Sequence, residues 1–188
     1  MKNIGIVCEG PTDYILLKGI VDLITEEDNQ YLALQPEDNL SGEDGNGWKG
    51  NVNPVVCGYI KKNECPVELP CGVHEESIQG YIDHLTQLIE SWLNYEGGIC
   101  IVIPCDSTDA WVTAAYDELP DTEIIEDPWK TVISKGKTYH GIRIPGHKKG
   151  IRVYRQFVEQ VCNNWGKVKR LCISAEQFES KIKAGTAL

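Results

Sequence analysis

The chain has 188 residues, 41% hydrophobic and 24% charged, a balance that suits one globular domain able to bury a core without disulfides. No run approaches the ~20 apolar residues that span a bilayer, which excludes a helical membrane protein. The net charge of −10 is unevenly placed: residues 1–127 hold 5 Lys+Arg against 25 Asp+Glu, and residues 128–188 hold 13 against 3, so a polyanionic partner is not excluded.

Met1-Lys2-Asn3 and the short apolar run behind it lack a signal-peptide core, so a cytoplasmic location is expected, with the eight cysteines as thiols or metal ligands. Cys8, Cys100, Cys105 and Cys172 lie in apolar runs and read as small core residues. Residues 3–8 form a short apolar strand ending at Glu9. Thr12 then caps a helix to about Ile24, with Asp13 in its first turn and Ile15, Leu16, Gly19, Ile20 and Leu23 on one stripe. Residues 26–74 turn acidic and then rich in Gly, Asn, Pro and Cys, and about 36–74 reads as an irregular insertion. A short strand near Val55–Ile60 is the one regular element expected there. A helix from about Glu75 to Tyr95 ends at Gly97-Gly98. The strand "ICIVIPC", residues 99–105, leads through Asp106 into a helix starting at Ser107 or Thr108. Residues 128–149 read as irregular and basic. A helix over 150–165, a strand "VKRLCIS" over 168–174 and a helix over 175–183 close the chain. Strand, acidic turn and helix thus occur twice, the unit of a parallel sheet covered by helices.

In open α/β sheets ligands bind at the carboxyl ends of the strands. Glu9 and Asp106 end the two strands, and Asp109 follows nearby. Carboxylates brought to contact distance require a cation. Hard oxygen ligands with an incomplete shell select Mg²⁺ or Mn²⁺, which can orient a nucleophile and stabilise a phosphoryl leaving group. Helix capping accounts for the same residues without a metal. There is no Walker A loop, no Gly-x-Gly-x-x-Gly after a strand and no Gly-x-Ser-x-Gly elbow.

Cys57, Cys65, Cys71 and His74 fall within one irregular stretch and offer four zinc-type ligands, although only Cys71-x-x-His74 has tight spacing. Between residues 128 and 158 eight basic residues occur without an acid. Among them Lys130, Lys137, Arg143, Lys148, Lys149 and Arg152 are the candidates to track a nucleic-acid backbone, interleaved with aromatic residues and with His140 and His147. A solvated face, or docking on an acidic surface, is the alternative for this segment.

The stretch "IVCEGPTDYILLKGIV" resembles the opening motif of Toprim domains, and especially the small Toprim-like nucleases of bacterial defence and mobile elements, the overcoming-lysogenization-defect type. The resemblance implies a single α/β domain over 1–188 with a central, mainly parallel sheet flanked by helices. It also implies Mg²⁺-dependent phosphodiester cleavage or transfer on DNA or RNA, and a partner ATPase. Carried across, Glu9 matches the first-strand glutamate and Asp106 the first aspartate of the later motif. "CDSTD" spaces Asp106 and Asp109 as Asp-x-x-Asp rather than Asp-x-Asp. On a second alignment "TDAW" puts Asp109 in a later glutamate position, and the Asp-x-Asp strand then has no candidate between residues 30 and 75. Two other readings stand beside the nuclease: a non-catalytic binding module of the same shape, and a zinc-organised interaction protein.

Overall fold

The computed structural model describes residues 2–8, 10–35, 79–80, 83, 86–87, 90, 101, 107–119, 122–125 and 127–186. The insertion at 36–74, most of the strand at 99–105, Glu9, Asp106, Cys57, Cys65, Cys71 and His74 lie outside them.

The chain opens with β1 (Asn3–Val7), α1 (Pro11–Thr25) and β2 (Gln30–Gln35). β1 and β2 pair in parallel from Asn3↔Gln30 to Ile6↔Ala33, with an irregularity at Val7. The strand and helix at the start are as expected, but β2, which completes a β-α-β unit, is not among the expected elements and lies in the acidic stretch after α1. Its sequence, QYLALQ, alternates on a period of two and has no turn residue. α1 begins at Gly10 rather than Thr12, because Pro11 suits the first helical position and Asp13 Oδ2 accepts the Gly10 amide at 3.1 Å. Leu16, Ile20 and Val21 are buried, whereas Leu23 is exposed.

Residues 79, 80, 83, 86, 87 and 90 are helical, within the expected second helix. Next comes α2 (Asp109–Tyr116), then a single 3₁₀ turn at Thr122–Ile124. α3 (Pro128–Ser134) and the hairpin of β3 (Thr138–Tyr139) with β4 (Ile142–Arg143) occupy the segment read as irregular. Local chemistry builds both. Asp127 accepts the Lys130 amide at 3.3 Å, Pro128 opens the helix, and Trp129 and Val132 anchor it in the core. α4 (Ile151–Asn163) follows, as expected, with Val153, Tyr154, Phe157 and Val161 buried.

The expected strand at 168–174 is replaced by two helices, α5 (Trp165–Leu171) and α6 (Ile173–Thr186), that break at Cys172. Val168, Cys172, Ala175 and Phe178 are all buried, a spacing of three and four that runs through the break. A carboxylate from elsewhere in the chain secures the junction. Glu123, 1% exposed, accepts the amides of Ile173 (2.6 Å) and Ser174 (3.0 Å) and the Ser174 hydroxyl. Ser174 Oγ in turn accepts the Trp111 indole at 2.9 Å. Among the described residues the fold is mixed α/β and mostly helical, with one small parallel two-stranded sheet and one antiparallel hairpin.

The core lies between α1, α2 and the C-terminal helices. Trp111 is fully buried, stacked on Phe178 and edge-on to Trp165, with ring centroids 5.6 Å away in both cases. Such side chains contribute roughly 1.5–3 kcal/mol each by leaving water. α1 crosses α4 at Gly19, where an added methyl would overlap Val158 Cγ1.

Replacing Glu123 by Ala strands the amides at the start of α6. It is expected to cost about 2 kcal/mol in urea unfolding, with Glu123→Gln milder. A second expectation concerns Glu179, which accepts the Trp165 indole and the ammonium groups of Lys169 and Lys183 at 2.5–2.8 Å. Burial alone raises its pKa, but these partners outweigh burial and hold it at about 2, below the usual 4.5. A depressed folded value stabilises above the unfolded one. Its contribution is therefore lost as pH falls from 4.5 towards 2, and Glu179→Gln should flatten that part of the stability profile.

Candidate functional site

Asp109 begins α2, as a helix-start acid should, but its side chain does not point to water. It is 2% exposed. One oxygen, Oδ1, accepts the hydroxyl of Tyr154 from α4. The other, Oδ2, accepts Ser107 Oγ at 3.1 Å and faces Lys149 Nζ at 2.5 Å. Ser107 Oγ also accepts the Asp109 amide at 3.2 Å, which fixes the turn. A buried carboxylate needs such partners, because an isolated charge out of water costs several kcal/mol. Burial and the negative charges of Asp109 and Asp13 push the Tyr154 hydroxyl well above its ordinary pKa, so it stays a donor.

The turn before α2 is tied to the end of β1. Thr108 donates its hydroxyl to Asp13 Oδ1, while Asp13 Oδ2 holds the Gly10 amide. One carboxylate therefore joins the turns that the sequence marks as acidic, from positions 95 residues apart. Lys149 and His147 bring the basic segment to the same place. Trp129 stacks on Tyr154 with centroids 6.0 Å apart, donates its indole to the His147 carbonyl at 3.3 Å, and lies under Lys149 Nζ at 5.9 Å.

The six basic candidates are all exposed. Lys130 stands on α3, Lys137 and Arg143 at the base of the hairpin, Lys148 and Lys149 ahead of α4, and Arg152 in its first turn. α4 starts at Gly150 with no acid in its first turn and no side-chain cap among the described residues. Lys148 and Arg152 thus lie exposed beside the positive end of the helix dipole, while Lys149 is paired with Asp109.

Of the three carboxylates expected to hold a cation, only Asp109 is described. Both its oxygens are engaged, one by the Tyr154 hydroxyl and the other by Ser107 and the Lys149 ammonium. In this arrangement Asp109 does not fit the role of a metal ligand. No group of three or more His, Cys, Asp or Glu suited to a metal occurs among the described residues.

Sequence reasoning missed the contacts of Asp13, Tyr154 and Asp117. Asp13 carried a signal as a first-turn acid, but its bond to Thr108 is a long-range fact. Tyr154 sits on the apolar stripe of α4 and reads as core until its hydroxyl is seen to meet Asp109. Asp117, just past α2, accepts the Tyr139 hydroxyl at 2.8 Å and pairs with His140 Nε2 at 2.8 Å.

No family model, curated protein or solved structure matches the chain. Among the described residues no helix is long and apolar enough to cross a membrane.

The Asp109–Lys149 pair predicts a contrast between two adjacent lysines. Lys149→Ala leaves a buried carboxylate without its cation and should cost about 3 kcal/mol in urea unfolding. Lys148→Ala, at an exposed position, should change stability by less than about 0.5 kcal/mol.

Proposed function

We propose that this protein acts on nucleic acid, as a Toprim-like nuclease or related phosphodiester-processing enzyme. The exposed basic segment from Lys130 to Arg155 holds the backbone, and the turns after β1 and before α2 lie at its edge. The observation that carries this reading is the joining of those turns through Asp13 and Thr108, with Lys149 delivering the basic segment to the same point. A basic segment lying against two strand-to-helix turns supports this reading, because cleavage calls for such a juxtaposition and general solubility does not. The resemblance assigns the dependence on Mg²⁺ or Mn²⁺ to Glu9 and Asp106. Asp109 serves instead as the anchor that positions Lys149 and Tyr154. DNA or RNA is the substrate, the compartment is the cytoplasm, and an ATPase is the partner by resemblance.

The test incubates plasmid and single-stranded substrates with either metal, using wild type, Glu9→Ala, and a variant with Lys130, Lys137 and Lys148 changed to Ala. Wild type should cleave, and Glu9→Ala should lose about a hundredfold or more, the scale of a group acting directly in the chemistry. The lysine variant should bind labelled oligonucleotide more weakly and with a flatter salt dependence.

A second reading is favoured by one observation: Asp13 and Asp109 are both committed to holding the fold together. In that case the chain is a nucleic-acid-binding module without catalysis. Salt-dependent oligonucleotide binding, no cleavage, and no carboxylate-dependent Mg²⁺ uptake by calorimetry would select it over the nuclease.

A further inference from the structure

The β3–β4 hairpin turns on two residues, His140 and Gly141, both with positive φ (45° and 83°). Such a turn suits the twist of a short hairpin and favours Asn-Gly at its centre. Histidine is among the non-glycine residues that accept positive φ most readily. It is also fixed at its ring. Tyr116 stacks on it with centroids 4.9 Å apart, Tyr139 stands edge-on at 4.6 Å, and Asp117 takes Nε2 at 2.8 Å. The Asp117 carboxylate has a second donor, the Tyr139 hydroxyl, at 2.8 Å. Burial raises its pKa, but these two hydrogen bonds outweigh burial and keep it below the ordinary value, so it is an ionised acceptor. Nε2 must then be the donor, and the remaining ring nitrogen, Nδ1, is left for something else. The ring is partly open to solvent, with the side chain 42% exposed. Lys137 and Arg143 are exposed at the base of the same hairpin, where Arg143 pairs across from Thr138.

We infer that the hairpin tip is a phosphate-binding site in which His140 Nδ1 donates to a phosphate oxygen, with Lys137 and Arg143 supplying further charge. This rests on the reading of the basic segment as a nucleic-acid surface, and it adds a proton to that reading. A ring that donates from Nε2 to Asp117 and from Nδ1 to phosphate carries both protons and is a cation. Binding therefore takes up a proton, and affinity falls as pH rises. The charged and titratable groups around the ring are Asp117 and Tyr116 at the end of α2, Tyr139 on β3, Lys135 acting on Asp117, and Glu159 of α4 acting on Tyr116.

The probe is inorganic pyrophosphate, followed by calorimetry and by the imidazole ¹⁵N resonances from about pH 5.5 to about pH 8. Wild type should bind about tenfold more tightly at the acid end, the scale of one charge-assisted hydrogen bond, and the Nδ1 resonance of His140 should move on saturation. His140→Asn keeps the turn, since Asn-Gly is its preferred pair, and should hold the weaker affinity at every pH. Asp117→Asn should weaken binding at the acid end, because the acceptor that fixes Nε2 as a donor and orients the ring is gone. A wild-type pH profile matching that of His140→Asn, or His140 resonances that stay still at saturating pyrophosphate, overturns the inference. A labelled oligonucleotide forms the separate arm. If it binds through Lys130 and Lys148 while His140 stays silent, only the inference falls. If it never binds, the nucleic-acid reading falls, and the pyrophosphate result still decides the hairpin site.

Discussion

Asp109 holds a negative charge at 2% exposure, with Lys149, Tyr154 and Ser107 on its oxygens. Removing a carboxylate from water is costly, and the cost is met only while all three partners stay in place. Each comes from a different part of the molecule. Ser107 sets the turn before α2, Tyr154 stands on α4, and Lys149 belongs to the segment leading into α4. The charge thus constrains how α2 meets α4 and where the basic segment lies. Asp13 extends the same constraint to β1 and α1 through Thr108 and Gly10.

The remaining polar anchors follow this logic at other junctions. Glu123 closes the start of α6, Glu179 draws Lys169 of α5 and Lys183 of α6 together, and Asp117 holds the hairpin by Tyr139 and His140. In each case a carboxylate supplied by one element satisfies donors on another. The acidic excess of the first 127 residues is therefore partly structural: Asp13, Asp109, Asp117 and Glu123 are all spent inside the fold. Lys130, Lys137, Arg143, Lys148 and Arg152 remain exposed on its outside, whereas Lys149, Lys169 and Lys183 are drawn into these pairs.

Local signals marked the elements that local physics controls. α1 and α4 were legible because their apolar residues recur every three or four positions, and β1 because a short apolar run meets a Gly-Pro stop. β2 was obscured by its acidic surroundings, although QYLALQ alternates. α3 and the hairpin were hidden by the basic charge and the glycines of their segment, yet Asp127-Pro128 and His140-Gly141 are a helix start and a turn. The strand expected at 168–174 failed because Leu171, Cys172 and Ile173 read as a β run, while Val168, Cys172, Ala175 and Phe178 bury on a helical period. Nothing local says that Glu123 will cap the second of those helices.

For the candidate site the division is sharper. The sequence by itself determined which residue types were available: an acid at the start of each of two helices, and a long basic stretch without a compensating acid. It also determined the opening strand and helix, since their periods are written in the order of apolar residues, whereas β2 emerged only from its pairing with β1. Only the tertiary structure decided what the acids do. Whether a carboxylate binds an ion, caps a helix or pairs with a lysine depends on what stands within about 3 Å of it, a distance set by contacts such as Thr108 with Asp13, 95 residues apart. Spacing along the chain placed Asp109 at a helix start, and packing gave it Lys149 and Tyr154 as partners. The same packing set His140 against Asp117, because a hairpin turn and a helix end meet only once the core has formed.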